Sequence, residues 1–379
     1  MYKLKPGYGI NRIQLNNADR IERQESNTVK QTRLLQKLAL AILLPGMAFL
    51  VIACSTDTPT NQSSPAVTPT VKTLASPTPS LSEVTPTREA SSMVYDPGMG
   101  MDLLFGGTGA PAGKLNDTWA WNGQTWLALH PSTSPPARDG ASMAYDAATG
   151  TVLLFGGVSD SGTDLGDTWT WNGQTWTQLY PASSPVARDD AAMVYEAANR
   201  QVLLFGGESQ QGHFSPALND TWTWDGHTWT QLHPPTSPPA RFGASMAYDA
   251  ATGQVILFGG GAGNSLNDTW AWDGHTWTQL HSASSPPARI HACMVYDAAS
   301  QQLVLFGGEA ASTQLSDTWL WNGTTWVEQS AMPAPSGGYN SAAYDAARQY
   351  ILVLATTGDK ANRQAKTWIW TGSQWKNLD

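Results

Sequence analysis

The stretch Val152-Leu153-Leu154-Phe155-Gly156-Gly157 is one copy of a run that returns along the chain. Leu-Leu-Phe-Gly-Gly ends at Gly107, Gly157 and Gly207, and close variants end at Gly260 and Gly308. The Phe slot holds Phe105, Phe155, Phe205, Phe258 and Phe306, with Leu354 in a sixth copy. Spacings of 48–53 residues between copies mark a repeat architecture, in which stacked units bury one another's apolar faces. Outward from the run, each unit reads Arg, Ala-Ser-Met-Ala-Tyr-Asp, a turn, the apolar run, a loop, Asp-Thr-Trp-x-Trp, Asn-Gly, and Thr-Trp-Thr-Gln-Leu.

Each unit predicts four short strands, which in the second copy are 141–145, 152–155, 168–171 and 175–179. The second is apolar throughout, as a strand buried on both faces should be. The third alternates. Asn172-Gly173 between the third and fourth predicts a type I′ hairpin turn, which needs positive φ at both positions. Four strands per period of about 50 residues indicate a propeller blade. The expected fold class is all-β: six blades of four antiparallel strands over residues 88–379. The first copy begins at strand 1 and the last ends with strand 4, so the ring should close without strand exchange.

The double glycine, the strand-4 Trp and the Arg opening each unit resemble the kelch repeat, as in the central domain of galactose oxidase. The sixth copy departs: Ala355 and Thr356 replace the glycines, Gly337 replaces Arg and Lys366 replaces Asp. All 18 Trp fall in the repeat, three per blade, and large rings at repeated slots read as packing between blades. Met93, Met143, Met193, Met246 and Met294 share one slot and read as core. Cys293 stands where other blades have Ser or Ala. Arg88, Arg138, Arg188, Arg241 and Arg289 recur, as do Asp117, Asp167, Asp220, Asp268 and Asp317. Both are lost in the sixth copy. Either they pair, or that copy has decayed throughout.

Ahead of the repeats, residues 1–37 hold eight Lys/Arg against three Asp/Glu. An apolar run from Leu38 to Ala53 follows, short for a membrane span of about 20 residues. Basic, apolar and small residues in that order describe a secretory signal over residues 1–53. Its end, Val51-Ile52-Ala53-Cys54, resembles the lipobox of bacterial lipoproteins and implies lipidation of Cys54. The alternative is an uncleaved signal anchor. In residues 55–87, 21 of 33 are Ser, Thr or Pro and none is aromatic. Such a stretch buries too little to offset its ordering entropy, so residues 54–87 read as a tether that could span roughly 100 Å. The expected location is the bacterial cell envelope, outside the cytoplasmic membrane or on the outer membrane of a diderm, with membrane contact through the lipid alone.

The net charge is −9 with a basic N-terminus, so the rest is more acidic still. That weighs against nucleic acid as a partner. Specific function should lie in what does not repeat. Loops 2–3 and 4–1 leave the same face of an antiparallel blade, and loop 2–3 varies in length. His213, Phe214, Phe242, His291 and Tyr339 fall in these loops, with Asp139, Asp189, Asp190, Glu208 and Glu309. They are the ligand-binding candidates, around blades 3 to 6, because variable loops on a rigid scaffold concentrate binding. Tyr180 and Tyr350 are further unrepeated aromatics.

No catalytic, cofactor or metal set is read: the chain lacks a nucleophile elbow, a phosphate loop and a metal-ligand spacing. The expected function is a monomeric surface binding module for a protein, peptide or glycan. The alternative is a carbohydrate-active enzyme of the sialic acid mutarotase or galactose oxidase type.

Overall fold

The computed structural model describes residues 80–81, 85–109, 113–210, 216–311, 313–329, 334–358 and 362–379. The chain divides at residue 71, and all described residues belong to the second part. Cys54, His213 and Phe214 lie outside the described residues.

Six antiparallel sheets carry the repeats, and no helix occurs among the described residues. In blade 2 the order from axis to rim is Ser142–Asp146, Thr151–Phe155, Thr168–Trp171 and Trp176–Leu179, numbered strands 1 to 4. The other blades repeat this order. Each strand 1 touches the strand 1 of both neighbouring blades, blade 6 to blade 1 included, so the ring is closed. Blade 1 draws its four strands from Ser92–Asp96 to Trp126–Leu129, and blade 6 from Ser341–Asp345 to Trp375–Asn377. No C-terminal strand enters blade 1. Its sheet does gain a fifth member, Ser80–Leu81, on the outer edge.

The core lies between blades. Strand-2 residues such as Leu153 and Leu154 are fully buried. The Phe of one blade meets the strand-4 Trp of the next, as in Phe155 with Trp229 at 5.3 Å. Burying rings of this size contributes a few kcal/mol each. The indole N–H of that Trp donates across the same seam, from Trp229 to Thr168 at 3.1 Å. A second circle of bonds runs near the axis: Ser142 Oγ donates to Ala191 O at 2.6 Å, and Ser245 Oγ to Ala292 O at 2.7 Å. Cys293 takes this position in blade 5, its thiol 3.2 Å from Asn340 O.

The repeated Arg and Asp do pair. Arg138 is fully buried and forks onto Asp167 at 2.6 and 2.8 Å, with a further bond to Gly156 O. The Trp169 indole N–H also donates to Asp167. Burial alone would raise the Asp167 carboxyl; the guanidinium and the indole outweigh it and hold the pKa below its usual range. The arginine ring is therefore scaffold.

The double glycine has a steric cause. Gly156 and Gly157 have φ of 74° and 95°. A Cβ on Gly156 would stand 2.4 Å from Arg188 O, and one on Gly157 2.6 Å from Asp139 O. In blade 6, Ala355 and Thr356 cannot make this kink, so strand 2 runs on from Tyr350 to Thr357.

The hairpin expectation at Asn172-Gly173 needs correction. Only Gly173 has positive φ. Asn172 Oδ1 instead accepts from the N–H groups of Gln174 and Thr175, both at 3.0 Å. The link is a four-residue loop built on an Asx turn. This is why Asp225 and Asp273 serve equally well in blades 3 and 4.

Candidate functional site

The residue after each repeated Arg bridges to the residue after the double glycine. These pairs are Asp139 with Val158, Asp189 with Glu208, Phe242 with Gly261 and Ile290 with Glu309. One residue further on, the backbone turns left-handed: Ala90, Gly140, Asp190, Gly243 and His291 have φ between 49° and 61°. Here the blades join head to tail. Gly140 N donates to Ala90 O, Asp190 N to Gly140 O, Gly243 N to Asp190 O and His291 N to Gly243 O, at 2.8–3.1 Å. Ala90 N completes the next link to Tyr339 O at 3.4 Å. The channel mouth is thus framed by backbone, and unrepeated side chains decide its chemistry.

Asp190 and His291 hold left-handed backbone where Gly140 and Gly243 stand in other blades. A side chain there is strained, and such strain concentrates at functional sites. The two meet: His291 Nε2 lies 3.0 Å from Asp190 Oδ2. Gly243 makes this approach possible, since a Cβ on it would stand 2.7 Å from His291 Cδ2. Tyr339 stacks on the imidazole at 4.2 Å, and Phe242 lies 6.1 Å away. Glu309 Oε1 is 3.7 Å from Nδ1. Burial opposes the charge on His291, but Asp190 and Glu309 overcome it and push its pKa up to about 9. The ring is an imidazolium at neutral pH, and it holds the Glu309 carboxyl below its usual range.

Beside this pair opens a cavity of about 290 Å³, lined by Glu89, Thr108, Asp139, Asp189, Asp190, Glu208 and Tyr339. A narrower space of about 150 Å³ continues along the axis past His291 and Asn340. Asp189 is pushed up to about 8 by burial and then by Asp190, Glu208 and Asp164. Burial and the Asp190 and Asp164 charges raise Glu208 as well. Two cations near the cavity are already engaged: Lys114 pairs with Asp139 at 2.7 Å, and Arg363 with Glu89. With Asp190 paired to His291 as well, Asp189 and Glu208 are the lining carboxyls left without an ion-pair partner among the described residues, next to a Tyr ring that is 36% exposed. Among the described residues no group of three or more His, Cys, Asp or Glu is arranged to hold a metal ion.

Of the sequence candidates, Asp139, Asp189, Asp190, Glu208 and Tyr339 line the cavity, while His291, Glu309 and Phe242 support it. The cavity draws on blades 1 and 2 as well as on blade 3 and the loop entering blade 6. Sequence reasoning missed Glu89, which shares the slot of Asp139 and Asp189, and the cations Lys114 and Arg363. Tyr350 is not on this face; its hydroxyl accepts from the Trp121 indole in the seam between blades 6 and 1. Tyr180 is on the rim, 83% exposed.

A family model of the KLHDC2/KLHL20/DRC7 Kelch-repeats domain matches residues 102–283 and 197–376. A solved structure titled "Structure of YjhT" is similar at a TM-score of 0.52 and 16% identity, covering 64% of this chain and 84% of that one. At that identity the likeness concerns the fold alone. No curated protein matched the chain.

Proposed function

The chain belongs to the KLHDC2/KLHL20/DRC7 Kelch-repeats domain family, and from that premise we propose that it is a binding module whose receptor site is the acidic channel mouth. The ligand is a cationic group, an ammonium or guanidinium, carried by a protein, peptide or glycan. The observation that carries this reading is the crowding of Asp189 by Asp190 and Glu208 in a cavity walled by Tyr339. A bound cation relieves that repulsion, and a Tyr face adds cation–π attraction. The module is held outside a bacterial cell by a lipid on Cys54, a reading that rests on the apolar run ending Val-Ile-Ala-Cys.

The enzyme alternatives gain no support from the site. Carboxylates line the cavity and would repel the carboxylate of a sialic acid. The Cys293 thiol faces Asn340 O, and burial pushes its pKa up to about 12, which keeps it protonated and unreactive. Peptide and glycan arrays with matched cationic, neutral and anionic members test the proposal. Retention of the cationic members supports it; retention of neutral or anionic members alone contradicts it.

A further inference from the structure

The axial channel has a second end. From Gly140 at the acidic mouth to Tyr145 the chain runs five residues along strand 1 of blade 2, about 16 Å of extended backbone. At that far end opens a cavity of about 450 Å³, walled by strand-1 residues of all six blades. Tyr95, Tyr145, Tyr195, Tyr248, Tyr296 and Tyr344 circle it, and the slot methionines of five blades stand two residues earlier in each strand. In blade 6 that slot holds Ala342, so one side of the wall lacks a long side chain. Apart from the tyrosine hydroxyls the lining side chains are apolar. The volume is that of a small-molecule site.

An acid follows each tyrosine: Asp96, Asp146, Glu196, Asp249, Asp297 and Asp345, none more than 4% exposed. Turn donors hold their oxygens. Asp146 accepts from Ala148 N and from the Thr149 hydroxyl, both at 2.9 Å, and Asp297 from Ala299 N and the Ser300 hydroxyl at 3.0 and 2.8 Å. Glu196 accepts from the side-chain amides of Asn199 and Gln201. These donors are neutral. Of the six acids only Asp345 has an ion-pair partner among the described residues, Arg348. The negative charge reaches the tyrosines. Burial and then Asp96 and Asp146 raise the pKa of Tyr145, and burial and then Asp249 and Asp297 raise that of Tyr296.

We propose that the far end of the axial channel is a second binding site, for a quaternary ammonium group. Carboxylates without counter-ions favour a cation there, and aromatic rings attract one that has shed its water. The choice among cations follows from hydrogen bonding. A primary ammonium or a guanidinium brings N–H donors that must be satisfied on burial, and the turns have already taken the carboxylate oxygens. A quaternary ammonium has no N–H and loses nothing among apolar walls. The acidic mouth is the converse, since the buried Asp189 Oδ1 accepts no hydrogen bond. The two ends thus select different cations, and this inference does not rest on the reading of the mouth.

Choline is the probe, and methyl-13C-methionine NMR of the full chain is the readout. Choline should shift the methyl signals of Met143, Met193 and the other slot methionines saturably, leaving those of Met99 and Met101 in place. The neutral isostere 3,3-dimethylbutanol and the primary amine ethanolamine should each bind about tenfold or more weakly. Ala342→Met completes the repeat and fills the gap in the wall, so it should abolish the shifts in a folded ring. Tyr248→Leu should weaken choline binding severalfold. Absence of a saturable shift overturns the proposal. Equal binding of the neutral isostere also overturns it, in favour of an apolar socket indifferent to charge. So does choline binding unchanged in both variants, or confined to signals at Tyr339 and His291.

Discussion

The indole Nε1 of Trp126 in blade 1 donates to the Thr367 hydroxyl in blade 6 at 3.1 Å. The same bond crosses every other seam, from Trp176 to Thr118 through Trp375 to Thr318, at 2.9–3.1 Å. The last seam is therefore closed like the rest, although Leu354 replaces Phe in it. Thr367→Val leaves a buried indole N–H without an acceptor. It should lower stability by about 1–2 kcal/mol, read as a lower urea midpoint with unchanged slope.

That seam also holds an anomaly. Asp102 is fully buried in a strand-2 slot that holds Val152, Val202 and Val255 in other blades, and neither carboxyl oxygen has a hydrogen-bond partner. Burial raises its pKa well above the usual range, the nearby Asp345 adds to the rise, and Arg348 opposes it. Tyr95 and Tyr350 also face these charges. A raised carboxyl pKa means that the folded protein holds a proton the unfolded chain gives up. Stability is full below the unfolded pKa of about 3.9 and falls as pH rises through the folded value. Asp102→Val should raise the melting temperature at neutral pH and flatten its decline with pH. A variant less stable than the wild type at pH 7 would show that the carboxyl contributes favourably.

The imidazolium of His291 makes a separate prediction. Its pKa, raised to about 9, contributes stability that is full below about 6.5 and is lost as pH rises through 9. Asp190→Asn removes the nearest anion, 3.0 Å away. In an NMR titration the His291 pKa should fall toward its ordinary value. The stability difference between wild type and variant should shrink above pH 9. A His291 pKa unchanged in Asp190→Asn would contradict the pairing.

Much of the ring was legible because its information is periodic. Six copies of Trp, Phe and Gly-Gly at fixed spacing specify blade count, strand order and the seams. The Arg–Asp fork was legible only as joint loss in the sixth copy, and its geometry decided between pairing and decay. The Asn172-Gly173 turn was misread because the dipeptide rule takes Asn as a left-handed residue, whereas its side chain folds back onto two backbone N–H groups. The channel mouth was partly legible. Subtracting repeated residues found Tyr339, His291 and five carboxylates of the region, but Glu89 escaped although its slot is the one of Asp139 and Asp189. The backbone circle that brings Asp190 to His291 from blades that are not neighbours has no local signature.

Lipidation of Cys54 is tested on the mature chain. Mass spectrometry of protein from the native envelope should find Cys54 at the N-terminus with an acyl-glyceryl mass attached. A mature chain that retains residues before Cys54 would contradict the anchor.

The most direct test of the central claim is calorimetric titration of the ring with the strongest cationic ligand from the arrays. Tight binding should weaken about tenfold or more when the ligand's amine is acetylated. Tyr339→Ala and Asp189→Asn should each weaken it by about 1 kcal/mol or more. Gln174→Ala, on the opposite face, should leave it unchanged. Binding that survives acetylation and both mouth substitutions, yet is lost in Gln174→Ala, would contradict the account.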